Sequence, residues 1–311
     1  MTSPFGPLVL IANPRAGRGR IERALPRVER VLRHENLDYR IVRTTHPGHA
    51  TRAAREALHN GQRYLVAVGG DGTVHEVVNG MIEDGRPIAP DAVLGVVAAG
   101  SGCDFVRSFG LPGDAEQAAG HLAGDAVRAI DVGTVTCAGG ETRCFVNIAE
   151  AGLGGAVVDR AARLSRRYGG ARYAAGFWLT LPGFRPATVR LDAAEDAGSD
   201  AGGHTTAWRA YNVVVANCRF YGGGMRISPK SDPGDQALDV LVMTGPKSDS
   251  FTTLPKVYKG AHLPHRNIAE LRAGAVHVTA DPPFPVEADG ELLGTTPASF
   301  GIIPSGVRLK L

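Results

Sequence analysis

"VAVGGDGTVHEVVNG", residues 66–80, decides the fold. A short apolar strand runs into Gly69-Gly70-Asp71-Gly72-Thr73, and a helical run follows at once. In that run Val74, Val77, Val78 and Met81 recur at i, i+3, i+4 and i+7, the core face of a helix, and Asp71 is not on that face. The letters are neither GxGxxG nor a Walker A loop, because Thr-Val-His-Glu follows Gly72 and no GK[ST] appears. The physics of the junction remains. Glycines take positive φ and let a ligand approach the backbone. A helix N-terminus offers N–H groups and partial positive charge to an anion. In a parallel sheet, ligands gather at the carboxyl ends of the strands. An acid among such amides calls for a metal, a hydroxyl or a proton, or else is the N-cap of a tight βα turn.

Outward from this stretch, strands and helices alternate. Strands read at 7–14, 38–45, 63–71 and 92–100, and helices at 19–36, 48–60, 73–85 and 102–110. Alternation on short links predicts βαβ units and a parallel sheet. Three further turns occupy equivalent strand ends: "NPRAGRGR" (13–20), "TTHPGHA" (44–50) and "AAGSGCDF" (98–105). Four such turns on one sheet edge are more than loops need to be.

Near residue 128 the pattern changes to strand-like runs, among them "AVRAIDVGTVTC", "RCFVNIAEAG", "WRAYNVVVANC" and "FPVEADGELLG". This predicts an α/β domain over 1–128 and a β-rich sandwich or barrel over 129–299. Helical runs at 155–169 and 250–262 interrupt the second domain, and "DAAEDAGSDAGGHTT" (192–206) reads as a mobile hairpin tip.

The chain has 311 residues, 43% of them hydrophobic, enough to bury a core for two ordinary domains. Net charge is +3, spread along the chain, which suits an anionic ligand or membrane surface and argues against nucleic acid. Cys103, Cys137, Cys144 and Cys218 show no CxxC pair and read as reduced thiols of a cytoplasmic protein. No N-terminal signal is visible, and no apolar stretch approaches the ~18–20 residues that span a bilayer.

"GGDGTVHEVVNG", with "NPRAGRGR" upstream and "GSGCDFVRSFGLP" downstream, resembles the diacylglycerol kinase catalytic domain, whose superfamily includes soluble bacterial lipid kinases, sphingosine kinases and ceramide kinases. "YGGGMRISPKSDPGDQALDVLVM" (221–243) and "VEADGELLG" (286–294) match further motifs in order, so nearly the whole chain is covered. The resemblance implies a Rossmann-like α/β domain for ATP, a C-terminal β-sandwich for the lipid, a site in the cleft between them, and a last strand, about 300–311, returning to the first domain. It implies an ATP-dependent, Mg²⁺-requiring kinase that phosphorylates a lipid hydroxyl such as that of diacylglycerol at an anionic membrane surface. A homodimer stays open. The rivals are a soluble kinase like NAD kinase, which shares GGDGT, and a non-catalytic member that binds nucleotide or lipid.

By resemblance, Asn13, Pro14, Arg15, Ala16 and Gly17 meet ATP phosphates, as do Gly69, Gly70, Asp71, Gly72 and Thr73. Thr44, Thr45 and Ser101 complete the nucleotide pocket, and Asp104 lies by the nucleotide. Asp235 matches a Mg²⁺ ligand, with backbone carbonyls near Asp232 and Ala237, and Asp131 matches an acid linked to the metal through water. Asp289 and Glu291 form the DGE pair from which the general base comes, whereas sphingosine-type relatives assign the base to the acid at Asp71. Two positions depart from the family: Cys103 stands where Asn is usual, and Gln236 where Gly usually follows the metal-binding acid.

The residue types fit the chemistry. Phosphoryl transfer needs a phosphate cradle, Mg²⁺ and a carboxylate to accept the alcohol's proton, and oxygen ligands suit Mg²⁺. Strand alternation through "FPVEADGE" sends Asp289 and Glu291 to one face, although Asp-Gly is also a common hairpin turn. His75 reads equally as a ligand contact or a solvated helix position, and His46 and His49 lack metal spacing. "ARLSRRYGGARY" (162–173), with Phe177, Trp178 and Phe184, mixes basic and aromatic residues, either for a membrane surface or as a solvated helix leading into core packing.

Overall fold

The computed structural model describes residues 3–99, 102–165, 170–194 and 205–311. They form two compact units, 1–132 with 304–311, and 133–303.

The first unit runs β1 (Leu8–Ala12), α1 (Arg20–His34), β2 (Tyr39–Arg43), α2 (His49–His59), β3 (Tyr64–Val68), α3 (Asp71–Met81), a small hairpin β4 (Ile82–Glu83) and β5 (Arg86–Pro87), β6 (Val93–Val97), α4 (Asp104–Phe109), α5 (Ala115–Gly120) and the start of β7 (Val127–Cys137). The strand order is β2-β1-β3-β6, all parallel. The end of the last strand adds to β6, also parallel, with Arg308 beside Val93 and Leu309 beside Leu94. Every residue of β1, β3 and β6 is buried, which is why they read as unbroken apolar runs: helices cover both faces. On one face Ile21, Leu25, Val28 and Leu32 of α1 pack on Leu8, Leu10, Val66 and Val68. Helices α2 and α3 approach closely at Gly80, where a Cβ would lie 2.7 Å from Ala54 Cβ.

The second unit continues with β8 (Arg143–Phe145), β9 (Ile148–Gly152), α6 (Leu153–Ala162), α7 (Ala171–Thr180), β10 (Ala187–Ala194), β11 (Thr205–Ala210), β12 (Asn212–Ala216), β13 (Leu238–Met243), α8 (Asp249–Lys259), β14 (Ile268–Ala273), β15 (Ala275–Asp281), β16 (Pro285–Ala288), β17 (Glu291–Thr295) and β18 (Ala298–Lys310). One antiparallel sheet has the order β14-β13-β12-β9-β16-β17. Facing it, β11-β10-β15 and the start of β18 pair antiparallel, as do β7 and β8. Between the layers lie Ala149, Ala151, Val213, Val215, Val240 and Val286 against Val189, Leu191, Val276, Val278 and Phe300. This is a β-sandwich. The alternate residues Ile148, Val214 and Leu241 face the other way, toward Val257 of α8.

Two runs that read as single strands are each two. "RCFVNIAEAG" breaks into β8 and β9, and "WRAYNVVVANC" breaks at Tyr211 into β11 and β12, each half joining a different sheet. Strands that change layer at a corner are a normal device of sandwiches, and an apolar run does not reveal the corner. Strands β10 and β11 pair as a hairpin from Asp192–Thr205 outward. The hairpin tip expected at 192–206 lies mostly outside the described residues, as do residues 166–169 of the basic segment. Among the described residues no helix is long and apolar enough to cross a membrane.

Candidate active site

In the first unit the register aligns the strand ends. Ala12 pairs with both Arg43 and Val68, and Val68 pairs with Val97. The next residues continue the ladder: Thr44 N–H donates to Ala12 O at 2.8 Å, Asn13 N–H to Val68 O at 3.0 Å and Gly69 N–H to Val97 O at 3.0 Å. Asn13, Thr44, Gly69 and Ala98 therefore leave the sheet side by side at its carboxyl edge. The Asn13 side chain accepts from Arg15 N–H at 3.1 Å, folding residues 13–15 into a tight turn, and Gly17 takes φ +58. At the third strand, a Cβ on Gly69 would collide with the Thr73 side chain, so only glycine lets α3 start this close to the strand. Thr45 N–H donates to His49 Nδ1 at 3.2 Å. Ser101 lies outside the described residues.

Asp71 is not the N-cap of its own helix. Gly70 holds that position, with no side-chain cap. The Asp71 carboxylate instead reaches the start of α4: it accepts from Asp104 N–H at 3.0 Å and Phe105 N–H at 2.9 Å, and the Cys103 thiol donates to it at 3.3 Å. It ties the turn after β3 to the start of α4. Burial first, and then the Asp71 charge, push the Cys103 thiol well up, so Cys103 stays a protonated donor. A thiol thus does part of what a side-chain amide would do there. Asp104 is buried and paired with Arg107. His75 is neither a solvated helix residue nor an edge residue. It is 3% exposed on α3, with Asn79 Nδ2 donating to its carbonyl at 2.9 Å. The periodicity marked four of the buried α3 positions, but the whole helix after Gly72 except Glu76 is buried.

Asp131 is 1% exposed on β7, and its Oδ1 accepts from Ser305 N–H at 2.7 Å, anchoring the last strand. It belongs to the first unit, whereas Asp235 belongs to the second.

In the second unit the DGE motif is a turn, not a strand. Asp289 (φ 48) and Gly290 (φ 86) are both left-handed between β16 and β17, the two-residue hairpin that Asp-Gly favours. The alternation that would place both acids on one face therefore fails. The Asp289 carboxylate accepts three backbone N–H groups: Val146 at 2.8 Å, Asn147 at 3.0 Å and Ile148 at 3.2 Å. Glu291, after the turn, is exposed. One acid of the pair is spent on holding the turn and the other is presented.

Asp235 lies in the loop before β13. Its Oδ1 accepts from Ala237 N–H at 3.2 Å, and its Oδ2 meets Arg272 at 2.5 Å. Partial burial, opposed by the Ala237 N–H and Arg272, raises its pKa, and Asp239 and Asp232 add to the rise. Gln236 takes φ +61, a conformation glycine adopts without cost, which explains why glycine suits this place. Among the described residues no group of three or more His, Cys, Asp or Glu side chains is arranged to hold a metal. The Asp235 carboxylate and the backbone carbonyls of its loop are hard oxygen donors, the kind that Mg²⁺ takes.

A family model described as "Diacylglycerol kinase catalytic domain" matches residues 7–135, and one described as "YegS C-terminal NAD kinase beta sandwich-like domain" matches residues 147–311. A diacylglycerol kinase of Mycobacterium tuberculosis is 30% identical over 312 residues, covering 98% of this chain and 95% of that protein. The chain belongs to the diacylglycerol kinase and YegS family of lipid kinases. A diacylglycerol kinase of Bacillus subtilis is 28% identical over 94% of this chain and 91% of its own length. A crystal structure of a diacylglycerol kinase from Bacillus anthracis shares the fold, with a TM-score of 0.73 at 22% identity, covering 99% of this chain and 97% of that one. For this lipid kinase the α/β unit and the sandwich are those of its family.

Three features of the site escaped sequence reasoning. The amides of Val146, Asn147 and Ile148 are backbone, and no letter announces them. Arg272 lies 37 positions from Asp235 in sequence, and only β13–β14 pairing brings it near. Glu150 and Glu287 are buried acids, each 3% exposed, in otherwise apolar strands. Here a signal existed: a glutamate inside "NIAEAG" and another inside "PVEA" break runs that burial would keep apolar.

Proposed function

We propose that this chain transfers the γ-phosphate of ATP to a lipid hydroxyl, that of diacylglycerol in the first instance. The observation that carries the reading is the in-register carboxyl edge of the parallel sheet, where the Asn13–Gly17 and Gly69–Thr73 turns leave the strands and the first backbone amides of α3 have no side-chain cap. Such amides suit phosphate oxygens. Thr44 and Thr45 border the same edge, and Asp104 and the brace from Asp71 hold the fourth turn in place. Glu291 is the general base that accepts the hydroxyl proton, because Asp289 is already committed to three amides. Asp235, with carbonyls near Asp232 and Ala237, would hold Mg²⁺, which would supply positive charge to the phosphoryl transfer. Two relatives bearing the name diacylglycerol kinase support the choice of lipid. A radiolabelled ATP assay over diacylglycerol, sphingosine, ceramide, phosphatidylglycerol and NAD tests it: label in diacylglycerol is expected, and label in NAD alone would refute the lipid reading.

The metal assignment has its own test. Asp235→Asn removes a charge from the Mg²⁺ loop, so the Mg²⁺ concentration for half-maximal activity is expected to rise and maximal activity to fall. An unchanged Mg²⁺ titration in this variant would exclude Asp235 as a direct ligand.

Access to lipid needs a surface. In the second unit Phe177 and Phe184 pack inward, but Trp178 and Leu179 of α7 are 42% and 56% exposed. Phe251 of α8, 64% exposed, lies with its ring 5.1 Å from Trp178, and Lys256 and Lys259 follow on the same helix. Exposed aromatics beside lysines suit an anionic membrane surface. Sedimentation with phosphatidylserine vesicles is expected to be stronger at low salt. Equal binding to neutral and anionic vesicles at every salt concentration counts against this.

A further inference from the structure

Behind the DGE turn stand two buried acids. Glu150 of β9 and Glu287 of β16 are directly opposite in the antiparallel ladder, on the face turned away from the sandwich core, and each is 3% exposed. Their carboxyls are hydrogen-bonded to each other. Asn212 Nδ2 donates to Glu150 Oε1 at 2.7 Å, and the Tyr221 hydroxyl bonds to the same carboxyl. Asn212 is itself held, its Oδ1 accepting from Gly154 N–H at 3.1 Å at the start of α6. On the other side, Glu287 Oε2 accepts from Gly290 N–H at 2.8 Å. That amide is the centre of the Asp289-Gly290 turn.

Two carboxylates this close and this dry do not both ionise; the pair keeps a proton between them. Burial pushes Glu150 up to about 7 from an ordinary 4.5, against its side-chain hydrogen bonds with Asn212, Glu287 and Tyr221. The groups facing Glu150 are thus Glu287, Tyr221, Asn212 and the α6 start, and Tyr211 and Tyr258 lie near Tyr221 in turn.

We propose that Glu287, through its bond to the Gly290 amide, and Glu150, through the proton shared across β9 and β16, form a buried acid pair that positions the Asp289-Gly290-Glu291 turn for proton transfer. These are positioning residues: neither carboxyl is at the surface, and both act through Gly290. The assignment rests on Glu291 as the base. It links two sequence motifs, because Tyr221 opens "YGGGMRISP" and Glu287 sits within "VEADGE".

The consequences separate this role from simple packing. Glutamine at 150 mimics the protonated acid: it keeps a donor toward Glu287 and has no proton to lose. In the wild type, folding holds the Glu150 proton more tightly than the unfolded chain does. The stability it contributes is therefore complete below pH 4.5 and lost as pH rises through about 7. E150Q is expected to flatten the unfolding midpoint across that window. In turnover, E150Q is expected to hold its kcat from pH 7 to pH 9 where the wild type falls. E287A, which removes the acceptor for Gly290 N–H, is expected to lower kcat about 10- to 100-fold, the cost of a misplaced base, with the KM for ATP within about threefold of wild type. E287Q keeps an acceptor oxygen and is expected to recover most of that loss. Hydrogen exchange at residues 289–291 is expected to quicken in E287A and not in E287Q. The pH dependence of unfolding and the exchange rates need no substrate, so they judge the acid pair even if no lipid is phosphorylated. An E150Q unfolding profile that keeps the wild-type slope, or unchanged exchange at residues 289–291 in E287A, overturns the proposal.

Discussion

Glu291→Gln is expected to lower turnover about 10²–10⁴-fold, the range of general-base effects, while leaving ATP affinity within a few-fold. The reason is its place. Glu291 is exposed directly after a turn that is anchored from behind, and glutamine keeps its shape while removing the charge that would accept a proton. A group used only in the transition state shows itself in kcat and not in nucleotide binding. Asp289 behaves differently. Replacing it with alanine leaves the buried amides of Val146, Asn147 and Ile148 without their acceptor. Each such donor costs about 1–3 kcal/mol, so Asp289→Ala is expected to lower the unfolding midpoint as well as turnover. Calorimetry with ATP alone, steady-state kinetics and thermal melts distinguish the two. Near-normal turnover in Glu291→Gln, with Asp71→Asn inactive yet binding ATP normally, would transfer the base to Asp71.

Asp71→Asn is the second large effect. Three donors converge on that carboxylate: the amides of Asp104 and Phe105 and the Cys103 thiol. An amide side chain offers one acceptor oxygen and turns its own N–H₂ toward the remaining donors. Hydrogen bonds to a charged acceptor are the stronger kind, about 1.5–3 kcal/mol each. Without them the start of α4 is released from the start of α3, the helix N-terminus proposed to meet the phosphates. ATP binding, measured by calorimetry without lipid, is expected to weaken at least about tenfold, equivalent to about 1.4 kcal/mol, and the unfolding midpoint to fall. Unchanged affinity would mean that the brace does not shape the nucleotide site.

These two variants mark the boundary between what the sequence determined and what the tertiary structure decided. From the letters alone came the alternating strands and helices, the parallel sheet, the four turns at one edge and the β-rich second half. Each is written in a local pattern: the unbroken apolar runs of β1, β3 and β6 mark strands with no solvent face, and Gly69 is glycine because Thr73, in the next turn of chain, leaves no room for a Cβ. The motif letters also marked the acids worth asking about. Their tasks were decided elsewhere. Asp71 finds its donors 33 and 34 positions on, and Asp289 finds its amides 141 to 143 positions back. Glu150 meets Glu287 only because β9 pairs with β16. Backbone amides are the same in every residue but proline, so no sequence pattern states which carboxylate they will hold. Only the packed chain brings those donors to Asp71 and Asp289 and leaves Glu291 exposed.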